Sequence, residues 1–375
     1  MLTETKLYDC AIIGGGLSGL CLAIQLAKLN HSVILFEKNE YPFHKVCGEY
    51  ISNESWKFLE NLGLPLSTMN LPKINQLGIS STQGFMLETN LKMGGFGISR
   101  YTLDYQLSLL AKQNGVDILQ NCKVNDIKIN NNVSEIITST DIYQSKIVCG
   151  TYGRNTPQFI DKQKKPATHN YVGVKYHIKT NLNENRIELH NFKNGYCGIS
   201  KVDNNTYCLC YLTTAKNLKN SGNDIKQMEQ TILYKNPYLK KYFTESEFLY
   251  KNPLTISQIT FNKKETYTNH IFLVGDASGA IAPLCGNGMS MGMRASKLLA
   301  NLLHNYYNAS ISKNELIESY NNVWNKNFST RIKSGYYIQQ LLGKNTITHL
   351  ILKLLNLLPK LMAKLISLTH GQPFN

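Results

Sequence analysis

Three short segments of this chain could do chemistry. The first is Gly14-Gly15-Gly16-Leu17-Ser18-Gly19, where Gly14, Gly16 and Gly19 have the spacing G-x-G-x-x-G. An apolar run, Cys10 to Ile13, precedes it, and Leu20, Ile24 and Ala27 follow at helical spacing. A second apolar run, Ser32 to Phe36, ends on Glu37. Strand, glycine turn, helix, strand and acid in that order predict an ADP-containing dinucleotide. Gly14 permits the tight turn, Gly16 lets backbone approach a pyrophosphate, and Gly19 lets helix and strand pack closely. The helix N-terminus offers unpaired N–H groups to phosphate, and Glu37 can accept from ribose hydroxyls. This fingerprint alone does not choose between NAD and FAD.

The second segment is Lys45-Val46-Cys47-Gly48-Glu49, in a loop running into a helix over 54–62. Lys45 and His44 could lower the pKa of the Cys47 thiol; the other reading is a small filler beside a glycine. Glu49 reads either as a general acid or as a cap for the helix that follows. The third segment, Gly275-Asp276-Ala277-Ser278-Gly279, follows the apolar run Ile271 to Val274. It leads through Pro283, Leu284, Cys285, Gly286, Asn287, Gly288 and Met289 into a helix reaching Leu303. Small residues there let backbone come close to a ligand.

The elements that position these segments form two units. Apolar runs and amphipathic stretches around the first and third predict a doubly wound α/β domain. Alternating, aromatic-rich strands over 171–179, 186–192, 196–202 and 207–213 predict an antiparallel sheet inserted into it. A helix near 224–234 stops before Pro237. The expected division is a discontinuous cofactor domain over 1–69, 95–160 and 265–340. A substrate domain over 70–94 and 161–264 and C-terminal amphipathic helices over 341–375 complete it.

Together the three segments resemble FAD-dependent oxidoreductases of the para-hydroxybenzoate-hydroxylase fold, and within them the geranylgeranyl-reductase-related branch. Lys45-Val46-Cys47-Gly48 is similar to the K-x-C-G of that branch, and the third segment resembles the family's G-D-A-A-G…P…G-x-G. The resemblance implies FAD held by Gly14, Gly16, Leu17, Ser18, Gly19, Glu37 and Lys38, then by Lys45, Val46 and Cys47. It adds Arg100, Gly275, Asp276, Pro283, Gly286, Asn287, Gly288 and Met289. Asp276 would hold the ribityl chain, and Arg100 would open an R-x-x-x-D/L helix near the cofactor. Cys47, Glu49 and Tyr196 are the catalytic candidates, and the aromatic sheet would wall an apolar substrate cavity.

The chain departs from the family in instructive places. Gly150-Thr151-Tyr152-Gly153 lacks the acid of the hydroxylases' G-A-D-G, so an external electron donor is expected: a partner reductase, ferredoxin or reduced flavin. Only Tyr196 remains of the reductases' Y-x-W-x-F-P. The halogenases' W-x-W-x-I-P is missing, since Trp56 and Trp324 lie far apart. The expected activity is oxygenation of an apolar organic molecule; reduction of isoprenoid or polyene double bonds is the alternative. A flavoprotein that binds RNA or scaffolds a complex is the rival from another class.

Composition narrows the field further. The formal charge is +15, but the lysines are dispersed, which argues against a nucleic-acid surface. Nine scattered cysteines, with no C-x-x-C and no apolar leader, point to reduced thiols in a cytoplasm and to no metal site. His177 and His190 fall in the inserted sheet, where they either face a cavity or are satisfied strand residues, and no Ser-His-Asp set stands out. From Leu350 to Leu368 apolar residues keep helical spacing, Lys353, Lys360 and Lys364 share one face, and Pro359 interrupts. A spanning helix needs about 18 or more apolar residues with few charges, so this segment is expected either to lid the cavity or to rest on the inner face of a membrane.

Overall fold

The computed structural model describes residues 6–130, 132–160, 170–259, 264–282, 284, 286–341 and 343–375. The chain opens with β1 (Leu7–Ile13), α1 (Leu17–Lys28), β2 (Val33–Phe36), β3 (Tyr50–Ser52) and α2 (Trp56–Leu62). Then come β4 (Lys73–Ser80), β5 (Met86–Gly97), α3 (Arg100–Gln113), β6 (Asp117–Leu119), β7 (Asp126–Asn130), β8 (Val133–Ile137) and β9 (Ile142–Gly150). The middle holds β10 (Tyr171–Lys179), β11 (Arg186–Phe192), β12 (Gly195–Lys201), β13 (Tyr207–Thr214), α4 (Ala215–Asn220), α5 (Ile225–Thr231) and α6 (Pro237–Glu245). The last part is β14 (Glu247–Phe248), β15 (Leu254–Ile259), β16 (Tyr267–Thr268), β17 (Ile271–Leu273), α7 (Gly288–Tyr307), α8 (Lys313–Leu341), α9 (Asn345–Leu357) and α10 (Pro359–Ser367).

Two sheets organise these elements. The first runs β16-β17-β9-β1-β2-β6, with the β7–β8 hairpin joined to β9. From β17 through β6 its neighbours are parallel. Strand β2 and the Cys10–Ile13 part of β1 are apolar and buried because both faces of the sheet are covered: α1, packed with α3 and α7, lies on one face, and Val124, Ile136 and Tyr143 lie on the other. At the carboxyl end of β1, neighbours diverge to β2 on one side and β9 on the other. That crevice is where an open α/β sheet binds its ligand.

The second sheet runs β14-β10-β13-β12-β11-β4-β5-β3, and β15 also pairs β10. It is not purely antiparallel, as the sequence suggested: β11 pairs β4 in parallel. Strands β3 to β5 come from residues 50–97, so the sheet is assembled from two distant parts of the chain. That separation allows a parallel pair without a local crossover. The two faces of β10 differ. Val172, Val174, Tyr176 and Ile178 pack against Met228, Leu233, Leu239 and Tyr242 of the α5–α6 region. Gly173 on the other face borders the large cavity. The aromatic residues therefore mostly do not wall the cavity, contrary to expectation. Tyr176, Tyr207 and Phe192 belong to the core beneath the helices, while Tyr196 and Tyr211 border the cavity.

Pro359 does divide the C-terminal helical run, with α9 ending at Leu357 and α10 beginning on the proline. Leu352, Leu355 and Met362 bury themselves against Leu77, Ile79, Leu87 and Leu91 of β4 and β5. Among the described residues no helix is long and apolar enough to cross a membrane.

Candidate functional site: a dinucleotide cleft opening into an apolar chamber

One cavity of about 1270 Å³ joins the three segments. Gly14, Gly16, Leu17 and Ser18 line one end together with Glu37 and Lys38, and Lys45 to Glu49 run along it. Asp276, Gly286, Gly288 and Met289 close the far side. Beyond them the cavity becomes an apolar chamber between β4, β5 and β11 and the helices α9 and α10. Leu77, Ile79, Ile187, Leu189, Leu355 and Met362 are among its walls.

The glycines fit the work assigned to them. Gly14 has φ +110°, and a Cβ there would meet the Thr151 carbonyl oxygen at 2.7 Å. A Cβ on Gly16 would meet only Lys45 Nζ at 3.6 Å and Arg100 Nη2 at 3.9 Å. The backbone at the start of α1 is thus open toward two cations, which is what a pyrophosphate requires. Gly19 is the helix–strand contact: a Cβ there would collide with the Gly14 carbonyl. Glu37 is buried; its Oε2 accepts from Gly15 N at 3.0 Å and its Oε1 from Asn39 Nδ2 at 2.8 Å. It braces the glycine turn while bordering the cavity.

Arg100 opens α3 and forks onto Asp104, with Nε–Oδ1 2.8 Å and Nη2–Oδ2 2.7 Å. Lys45 Nζ reaches the same Oδ2 at 3.0 Å. Burial pushes the Asp104 carboxyl up, but Arg100 and Lys45 outweigh it and hold the group below the usual range. Asp276 accepts from Arg154 Nε at 2.8 Å, so the acid-free Gly150–Gly153 segment delivers an arginine to the third motif. Gly275 has φ +67° and packs beside Ser18, joining the first and third segments. Asn287 is fully buried at the start of α7. Pro283 and Cys285 lie outside the described residues.

Cys47 is half-buried, borders the cavity, and has Sγ 3.7 Å from Met289 Sδ. Lys45 bonds Asp104 and His44 faces Tyr250, rather than the thiol. Glu49 does cap a helix, but not the one that follows it: Oε1 accepts from the backbone N of Arg100 at 2.7 Å, at the head of α3. It is fully buried, with Lys175 Nζ 2.5 Å from Oε1 and His177 Nε2 2.6 Å from Oε2. Sequence reasoning passed over Lys175, Arg154 and Tyr250; the R-x-x-x-D/L spacing contains Asp104 but assigned it no role.

Two apparent centres resolve into structure. Glu49, His177 and Cys208 offer ligand atoms within 4.8 Å of one another. The Lys175 ammonium already occupies the cation's place on Glu49, and Cys208 Sγ donates to the Cys47 carbonyl. Ser80 Oγ lies 2.8 Å from His190 Nδ1, and His190 Nε2 lies 3.1 Å from Glu188 Oε2. Ser80 and His190 are fully buried away from the cavity, and Ser80 Oγ also accepts from Asn236 Nδ2. This is a brace between β4 and β11, not a nucleophile.

Comparison with known proteins agrees with this geometry. Residues 12–59 match the NAD(P)-binding Rossmann-like domain. The solved structure of a flavin-dependent brominase superposes with a TM-score of 0.82 at 16% identity, covering 99% of this chain and 95% of that one. The chain has the flavin-dependent oxidoreductase fold. Conditioned medium factor receptor 1 of Dictyostelium discoideum is 23% identical, over 87% of this chain and 69% of that protein. Digeranylgeranylglycerophospholipid reductase 2 of Methanothermobacter thermautotrophicus is 22% identical, over 89% and 88%. Kynurenine 3-monooxygenase of Flavobacterium johnsoniae is 23% identical, over 88% and 76%.

Proposed function

We propose that the chain is an FAD-dependent oxidoreductase that oxygenates an apolar organic substrate. The observation that carries the reading is the single cavity. It runs from an open glycine turn flanked by cations to a chamber walled by Leu77, Ile79, Leu189, Leu355 and Met362. The flavin supplies the redox chemistry when bound. The chain supplies the rest. The head of α1, Lys45 and Arg100 hold the phosphates; Glu37 takes a ribose; Asp276, drawn off Arg154, takes the ribityl chain. Cys47 and Met289 meet where the second and third segments converge. The aliphatic chamber excludes water from the substrate.

Reduction of a carbon–carbon double bond is the second reading. It is favoured by the same apolar chamber together with likeness to the digeranylgeranylglycerophospholipid reductase along nearly its whole length. Under either reading the electrons come from an external donor, because Arg154 follows a segment without the family's acid. We also place the outer face of α9 and α10 on an anionic lipid surface, where exposed leucines alternate with lysines.

Anaerobic photoreduction followed by air, with absorbance recorded, tests the function. An oxygenated flavin species lasting seconds supports the oxygenase; rapid return to oxidised flavin with peroxide release favours the reductase. Gly16→Val should abolish flavin binding, since its side chain would fill the phosphate position. A colourless wild-type protein that FAD does not reconstitute would overturn both readings.

A further inference from the structure

Phosphate and ribose binding make no use of the polar line behind Glu49. His177 Nε2 lies 2.6 Å from Glu49 Oε2, and its other nitrogen, Nδ1, lies 2.8 Å from Tyr250 Oη. Tyr250 Oη is in turn within reach of both His44 ring nitrogens, 3.1 Å from Nε2 and 3.2 Å from Nδ1. His44 is half-buried in the cavity wall and stacks on Tyr101, which is 40% exposed to solvent. Four titratable groups thus run unbroken from the rim to the buried wall of the cavity.

Donors and acceptors alternate along the line. With Glu49 ionised, His177 carries its hydrogen on Nε2 and leaves Nδ1 to accept from Tyr250. Burial pushes the Glu49 carboxyl up, but His177 and Lys175 outweigh it and hold the group below its usual range. A protonated Glu49 is therefore a ready proton donor. Burial, with the Lys175 charge and His177, pushes His44 down, so it is neutral near pH 7 and able to accept. The charged and titratable groups facing this line are Lys175 on β10, Cys208 and Cys210 on β13, Asp203 between β12 and β13, Cys47 on the 44–49 loop and Arg100 at the head of α3. Packing alone accounts for the Glu49–Lys175 pair and the α3 cap. It does not call for an imidazole, a phenol and a second imidazole leading outward from them.

We propose that His44, Tyr250, His177 and Glu49 form a proton relay between the rim of the cavity and its inner wall, serving the proton uptake and release of the flavoenzyme. In the inward direction His44 takes a proton from solvent on one ring nitrogen and gives the proton on its other nitrogen to Tyr250 Oη, as Tyr250 gives its own to His177 Nδ1. His177 then passes its Nε2 hydrogen to Glu49. Each transfer breaks one bond to hydrogen and forms one, and the proton entering His44 from solvent replaces the one it passes on. The relay rests on the flavoenzyme reading for its purpose, not for its geometry.

Two measurements test it. Nitrogen-15 imidazole spectra of the protein as purified should show His177 as the Nε2–H tautomer. Proton uptake during photoreduction, followed with an indicator dye in weak buffer, should slow on the order of 100-fold in Tyr250→Phe and in His177→Gln. Flavin content should stay unchanged, and added imidazole should restore part of the rate in Tyr250→Phe. Tyr250→Phe keeps the ring and the buried ion pair, so it guards against a folding defect in His177→Gln. Uptake at the wild-type rate in Tyr250→Phe, or His177 as the Nδ1–H tautomer, would overturn the relay. A protein that binds no flavin would overturn the flavoenzyme reading instead, and the tautomer would still decide the relay.

Discussion

The side-chain amide of Asn287 donates to the backbone carbonyl of Thr369 over 2.9 Å, tying the head of α7 to the end of the chain. Arg331 Nε donates to the same carbonyl at 3.2 Å, and its Nη2 reaches the buried Glu54 at 2.8 Å. Phe374 N then donates to the Glu54 carbonyl, and the Phe374 ring packs on Phe58 with centroids 5.1 Å apart. The last residues are therefore part of the first domain's core. Amphipathic periodicity over 341–375 shows α9 and α10 but cannot show a coil that folds back after them.

That anchor makes Phe374→Ala costly. The ring is buried between Phe58 and Arg294, so its removal should destabilise the protein by about 3 kcal/mol. Urea unfolding followed by tryptophan fluorescence measures this. An unchanged midpoint would mean that the tail contributes nothing to the core.

Asp104→Asn should be worse. It leaves Arg100 and Lys45 facing a neutral amide in a buried site, at a cost of about 3–5 kcal/mol near pH 7. The sign of the pH effect follows from the depressed carboxyl. Its contribution is present above the ordinary value of 3.8 and is lost as pH falls through the lower folded value. Wild type and variant should therefore converge in strong acid. A constant gap between their unfolding midpoints from pH 7 down to pH 2 would contradict the ion-pair assignment.

Glu229 has the opposite sign. Burial beneath β10 and β13 raises its carboxyl to about 7, despite hydrogen bonds from Tyr211 and Tyr176. The folded protein holds a proton that the unfolded chain releases earlier, so stability falls as pH rises from about 4.5 to about 7. The slope is at most about 1.4 kcal/mol per pH unit. Glu229→Gln keeps an acceptor for both tyrosines and should flatten that fall, making the variant the more stable protein at pH 8. Parallel stability curves for the two proteins would refute the burial of a proton on Glu229.

Local signals made the cofactor end legible. Gly14, Gly16, Gly19 and Glu37 act through backbone shape and strand ends, which leave a fixed spacing in sequence. Arg100 and Asp104 are one helical turn apart, so their pairing was also within reach. Lys175, His177 and Tyr250 were not, because Glu49 meets Lys175 and His177 only when β10 is laid over the 44–49 loop more than a hundred residues away, and Tyr250 joins them from beyond β14. The face assignment of the aromatic strands failed for a related reason. Both faces of β10 are covered, so alternation could not say which side held the cavity. Strand β4 beside β11 was equally hidden, since parallel pairing between segments so far apart leaves no local trace.

The final prediction concerns the outside of the C-terminal helices. Leu352 and Leu355 are 1% and 8% exposed against the chamber, while Leu350, Leu354 and Leu357 stand 61%, 54% and 76% exposed on the other side. A helix apolar on both faces covers one compartment and faces another. Lys353, Lys360 and Lys364 are exposed along the same surface, which favours anionic headgroups over a neutral protein partner. The protein should sediment with phosphatidylglycerol vesicles and be released by high salt. Each lysine near such a surface contributes about 1 kcal/mol, so replacing all three with glutamine should weaken binding about 100-fold or more. Leu354→Asp with Leu357→Asp should abolish it without loss of flavin, because neither side chain touches the cavity. Vesicle binding that ignores both sets of substitutions, or no vesicle binding by the wild type, would remove α9 and α10 from the membrane and leave them as the chamber's roof alone.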